Sequence, residues 1–143
     1  MVENTLDKII KKKKQRLKNL KIKFAWIVNS KDGLDEISPY TKTNIIQLKD
    51  NQISEIMIDP KELKINAKNF DKLLGDNSEF NSKKIINIFQ GEDNDFSKAV
   101  CLNAAAGLIV SNNHNKFIDA YQDSREHILS GKTYEHLKVI QNG

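Results

Sequence analysis

The 143-residue sequence contains one cysteine, two prolines, three histidines and no purely apolar run longer than the five residues Phe24–Val28. The lone thiol, Cys101, excludes an intramolecular disulfide and suits a reducing compartment, so a cytoplasmic location is expected. Five apolar residues fall far short of the ~20 that a membrane-spanning helix needs, so no membrane partner is expected. The basic N-terminus is not followed by the apolar segment of a secretion signal. No GxSxG, P-loop or GxGxxG pattern occurs, which removes the usual signatures of acyl-transfer triads, nucleotide triphosphatases and dinucleotide enzymes. His114, His127 and His136 stand nine or more residues apart, not at the three- or four-residue spacing of helical metal pairs, and are expected on the surface.

What is present describes a soluble chain with one core: 38% hydrophobic and 29% charged residues, at a length that suits a single domain. The charge is lopsided. Residues 1–23 carry nine basic and two acidic groups, a net +7, whereas the other 120 carry 14 and 17, a net −3. The chain therefore divides into a basic amphipathic arm, 1–19, and a mildly acidic body, 20–143. Leu6, Ile10, Leu17 and Leu20 share one helical face of the arm, while Lys11–Lys14 and Arg16 form a basic run. Such a run either contacts an anionic partner or is a solvated helix face. No aromatic residue is interleaved for base stacking, which argues against nucleic acid.

The body reads as α/β. Phe24–Asn29 predicts a buried strand, and Thr43–Leu48 and Ile53–Ile58 predict two more. Asp50-Asn51 suits the positive φ values of a tight turn, so the latter two are expected to form an antiparallel hairpin. Pro60 then ends the sheet. Helices are expected over Phe70–Leu74, stopped by Gly75; from a cap at Asp76, with Glu79 three residues on, through Phe89; from a cap at Asp95 to about Ser111; over Phe117–Leu129; and in a last short segment with Leu137 and Ile140. The segment Phe96–Ser111 is apolar on nearly every side and is expected at the centre of the core, with Cys101 buried in it and Asn103 tied to a neighbouring loop.

One stretch offers chemistry. Asp32-Gly33-Leu34-Asp35-Glu36 follows the first strand directly. Adjacent carboxylates at the carboxyl end of a strand can cap the next element or hold a hard cation such as Mg²⁺, which takes one or two protein carboxylates and fills its shell with waters and substrate phosphates. The residues alone leave both readings open.

The segment Lys23–Ser38 closely resembles the C-terminal domain of the anthranilate phosphoribosyltransferase family. The likeness continues in register through Ile58-Asp59-Pro60, through Gly75-Asp76 with Asn81, through Leu102-Asn103-Ala104-Ala105-Ala106, and through Ile128-Leu129-Ser130-Gly131-Lys132. It covers about Leu20 to Gln141. Leu74 and Ser82 depart from the family's Gly-Gly-Asp…Glu-Asn-Ala box, and Asn29-Ser30 stands where His-Gly is common. The fold implied is part of a phosphoribosyltransferase/nucleoside-phosphorylase-type domain, with one buried strand and a β-hairpin packed on C-terminal helices. The activity implied is tryptophan-biosynthetic transfer of anthranilate's amine to C1 of phosphoribosyl pyrophosphate, with release of pyrophosphate. The family's Asp-Glu pair holds Mg²⁺ and maps onto Asp35 and Glu36; no catalytic residue is carried over.

The family enzyme is much longer. This sequence has neither its glycine-rich Gly-Thr-Gly-Gly-Asp loop nor its Lys-His-Gly-Asn segment, and it lacks the N-terminal helical domain. It is therefore expected to be inactive by itself, or to need a complementing fragment or a second copy. Residues 5–17 resemble the opening helix of indole-3-glycerol-phosphate synthase over a short, lysine-rich stretch. Two alternatives stay open: a nucleoside phosphorylase-type ribosyl-transfer domain, and a non-catalytic binding module with a basic arm.

Overall fold

Alternating apolar residues interrupted by a two-residue turn produce the sheet. The computed structural model describes Lys12, Arg16 and residues 22–143 apart from Asn69. Strands β1 (Phe24–Ser30), β2 (Thr43–Lys49) and β3 (Gln52–Ile58) lie in the order β1-β2-β3, all antiparallel. Asp50 and Asn51 adopt φ of 48° and 65°, and Lys49 pairs with Gln52, so the hairpin closes on two left-handed residues as their types predict. Side-chain alternation places Trp26, Val28, Ile45 and Ile58 on the face that joins the main core. Ile27, Ile46 and Leu48 lie on the other face, and Ile46 and Leu48 are buried there too. The sheet is therefore apolar on both sides.

The first strand is half-buried rather than buried. It lies at the edge of the sheet, with β2 as its one strand partner among the described residues, so its outer backbone edge joins no described ladder. Of the arm expected over 1–19, Lys12 and Arg16 are helical and exposed, and the rest lies outside the described residues.

A 3₁₀ turn (Phe70–Leu73) precedes four helices: α1 (Ser78–Phe89), α2 (Asp95–Val110), α3 (Phe117–Leu129) and α4 (Lys132–Asn142). Two expected caps move by one residue. Asn77, not Asp76, caps α1 by accepting from the Phe80 amide, 3.0 Å away. Asn94, not Asp95, caps α2 in a reciprocal box with Ser97. In both places asparagine satisfies the orphan N3 amide. Asp95 is freed to join three segments: its carboxylate accepts from the Tyr40 hydroxyl, the Lys68 amide and the Lys98 ammonium. The final helix spans 11 residues, longer than the short segment expected, and none of its residues is buried.

Helix α2 is the centre of the molecule, as its composition predicts. Leu102 and Ala105 are fully buried, and Ala99, Cys101 and Ile109 nearly so. Its main helical neighbour is α3, which buries Ala120, Tyr121 and Ile128. Phe117 at the start of α3 stacks on Trp26 with ring centroids 6.0 Å apart, joining the helices to β1. The β1–β2 connection, residues 31–42, thereby emerges beside α2.

Candidate metal centre

The connection begins with a tight reversal. Gly33 sits at φ 92°, in the region that favours glycine, and its amide donates to the Ser30 carbonyl at 3.1 Å. The Ser30 amide in turn donates to the Leu34 carbonyl at 3.0 Å. Asp32 organises the turn: its carboxylate accepts from the Leu34 amide at 3.3 Å and from the Ser38 hydroxyl at 2.5 Å. Ser38 is fully buried; its amide donates to Thr43 Oγ1, and its oxygen accepts from the Tyr40 amide. Partial burial works against ionisation of Asp32. The Ser38 hydroxyl and the Leu34 amide outweigh it and hold the carboxyl below its usual range. Asp32 is thus occupied with the loop's own backbone and is not a free ligand.

Asp35 and Glu36 differ. Both are exposed, and among the described residues neither carboxylate makes a hydrogen bond or ion pair. The next residue, Ile37, is 1% exposed and belongs to the core. Its backbone is clamped from α2: Asn103 Oδ1 accepts from the Ile37 amide at 2.9 Å, and Asn103 Nδ2 donates to the Ile37 carbonyl at 3.1 Å. The tie expected of Asn103 is present, and it falls beside the acidic pair.

Asn81 repeats this device elsewhere. It accepts from the Asp76 amide at 3.1 Å and donates to the Asp76 carbonyl at 3.0 Å. The approach is so close that a Cβ on Gly75 would lie 2.9 Å from Asn81 Oδ1. The sequence anticipated the tie of Asn103 to a loop, but not its two-point grip on one backbone residue, and it gave no such role to Asn81. Asp32 was likewise seen only as part of an acidic turn; Ser38, six residues on, was the one clue to its partner.

Two free, hard carboxylates fit a cation that takes few protein ligands. Among the described residues, no three His, Cys, Asp or Glu side chains are placed to hold a metal by themselves. Asp35 and Glu36 therefore suit an ion completed by water or by ligand oxygens. Cys101 offers no chemistry: burial pushes its thiol up to about 11, and in the same region burial pushes the Tyr121 phenol up to about 12. His127 and His136 are exposed as expected, whereas His114 is half-buried, with Nε2 3.1 Å from the Asp123 carboxylate. A cavity of about 440 Å³ between α2 and α3 is lined by His114, Asp123, Ser124, His127 and apolar neighbours, none of them from the acidic loop.

With the sheet, the central helix and the acidic loop in place, the chain can be set beside known proteins. It belongs to the family described as "Glycosyl transferase family, a/b domain", whose sequence profile matches residues 5–134. Within that family it is similar to proteins named anthranilate phosphoribosyltransferase. It is 66% identical over 135 residues to anthranilate phosphoribosyltransferase from Pelagibacter ubique, covering 94% of this chain and 41% of that protein. It is 36% identical over 128 residues to the Clostridium beijerinckii enzyme of the same name, covering 87% of this chain and 38% of that one. Among solved structures it is similar to anthranilate phosphoribosyltransferase from Thermus thermophilus, with a TM-score of 0.77, 21% identity, and coverage of 87% of this chain and 36% of that one. It is also similar to the Saccharomyces cerevisiae enzyme in complex with PRPP and Mg, with a TM-score of 0.68, 21% identity, and coverage of 79% and 33%. At that identity the two structures establish the fold. The chain spans roughly two fifths of the curated relatives it matches, 41% and 38%.

Proposed function

We propose that this domain supplies the cation-holding carboxylates of an anthranilate phosphoribosyltransferase, with Asp35 and Glu36 as the Mg²⁺ ligands and with anthranilate and phosphoribosyl pyrophosphate as substrates. The observation that carries the reading is the pair of exposed, unengaged carboxylates on a loop held at both ends, in a chain 66% identical to a relative of that name. A bound Mg²⁺ would supply positive charge where the departing pyrophosphate gathers negative charge. The chain's own part is to hold two oxygens toward that charge. Asp32 is engaged by Ser38 and Leu34 and stays with the loop. Neither Asp35 nor Glu36 needs to act as a strong base, because an aryl amine can attack unaided.

The sequence contains neither a Gly-Thr-Gly-Gly-Asp nor a Lys-His-Gly-Asn segment. We therefore propose that these 143 residues do not transfer phosphoribose by themselves, and that the outer edge of β1, which joins no ladder among the described residues, receives a complementing segment or a second copy. The reading also places the protein in the cytoplasm. Among the described residues, no helix is long and apolar enough to cross a membrane. Isothermal titration of phosphoribosyl pyrophosphate in the presence of Mg²⁺ tests the ligand assignment. Asp35→Asn with Glu36→Gln is expected to abolish the metal-dependent heat, and unchanged affinity refutes it. Loss of anthranilate fluorescence on mixing the purified chain with both substrates would refute the claim of inactivity.

A further inference from the structure

We propose that Asn103 is the positioning residue of the Asp35-Glu36 pair, an inference that rests on the metal reading above. Asn103 lies on α2, 66 positions from Ile37, and its amide makes three hydrogen bonds. Oδ1 accepts from the Ile37 amide, while Nδ2 donates to the Ile37 carbonyl and, at 2.9 Å, to the Ala99 carbonyl of its own helix. The bond to Ala99 fixes which way the amide faces, so the two bonds to Ile37 refer the loop directly to the most buried helix. The Ile37 amide belongs to the peptide unit that follows Glu36. Holding that unit fixes the plane from which the Glu36 backbone, and behind it Asp35, approaches.

Among the described residues, the Ile37 amide is held by Asn103, whereas the neighbouring ties through Thr43 and Asp32 hold Ser38. The two carboxylates are exposed and without partners among the described residues, and the other tie, Asp32 to Leu34 and Ser38, grips the loop on either side of them. The role is specific to asparagine. Aspartate lacks both donors, glutamine carries its amide one methylene too far, and leucine matches the shape with no polar atom. A cation held by only two protein oxygens depends on their mutual placement to within ~0.5 Å, so the clamp acts on affinity rather than only on folding.

The test uses the full chain, with Mn²⁺ as a paramagnetic probe and amide NMR signals of residues 34–37 as the readout. In the parent, Mn²⁺ is expected to broaden these signals selectively. Asn103→Leu is expected to raise the Mn²⁺ concentration for half-broadening at least fivefold. Asn103→Ser, small enough to admit water that satisfies the Ile37 backbone, covers the case in which the leucine variant fails to fold and is expected to give the same rise. Leu102→Ala, buried on the same helix, lowers stability and is expected to leave the half-broadening concentration within twofold of the parent. An unchanged concentration in a folded Asn103 variant, or an equal rise in Leu102→Ala, overturns the positioning role. Absence of broadening in the parent, or undiminished broadening in Asp35→Asn with Glu36→Gln, instead overturns the metal reading beneath it.

Discussion

Replacing Asp32 by alanine tests how the acidic loop is held. The carboxylate accepts from the Ser38 hydroxyl at 2.5 Å and from the Leu34 amide at 3.3 Å, and Ser38 is fully buried. Hydrogen bonds to a charged group contribute ~1.5–3 kcal/mol net, and Asp32 is itself half-buried, which places its loss at about 2 kcal/mol. For a chain of this size that corresponds to a fall in melting temperature of ~8 °C, from ~4 °C per kcal/mol. Thermal melts followed by circular dichroism at pH 7 measure it. The pH dependence supplies the sign. The folded carboxyl is held below its unfolded value, so its stabilisation is complete above an unfolded pKa of about 4 and is lost as pH falls through the lower folded value. The gap between parent and Asp32→Ala is therefore expected to be constant from pH 7 to about 5 and to close toward pH 3. A melting temperature within about 1 °C of the parent at pH 7, or a gap that persists undiminished at pH 3, refutes the assignment.

Two further outcomes follow from the clamps and the core. Gly75→Ala would place a methyl group 2.9 Å from Asn81 Oδ1, so the exposed Asn81–Asp76 bonds should break at a cost of about 0.5–1.5 kcal/mol; a urea midpoint equal to the parent's contradicts this. Cys101, with a thiol pushed up to about 11 and 1% exposure, should resist a thiol-specific reagent at pH 8 until the chain is unfolded, and complete labelling of native protein within minutes would show the site to be open.

The strands were legible because their signals are local. Two-residue alternation and the Asp50-Asn51 turn act over a few bonds, and the hairpin register follows from the turn. Helix α2 was legible from composition alone, since a helix apolar on all sides has nowhere to go but the centre. The caps were missed by one residue. Asn77 and Asp76, like Asn94 and Asp95, are adjacent residues of similar capping propensity, and which one turns its side chain to the N3 amide depends on where the preceding loop is held. The half-burial of β1 was also invisible, because an apolar strand reads the same at the edge of a sheet as at its middle.

The acidic pair shows the same division. The order of residues in Asp32–Glu36 established that carboxylates follow a strand, and the resemblance marked two of them as ligands. Which acid is free was settled in space. Asp32 is turned inward by Ser38, while Asp35 and Glu36 are left outside because Ile37 is drawn into the core and gripped by Asn103. Periodicity and turn chemistry are properties of neighbours along the chain. The loop that carries the two free carboxylates is joined to α2 by a hydrogen bond spanning 66 residues, which exists only once α2 has packed beside it.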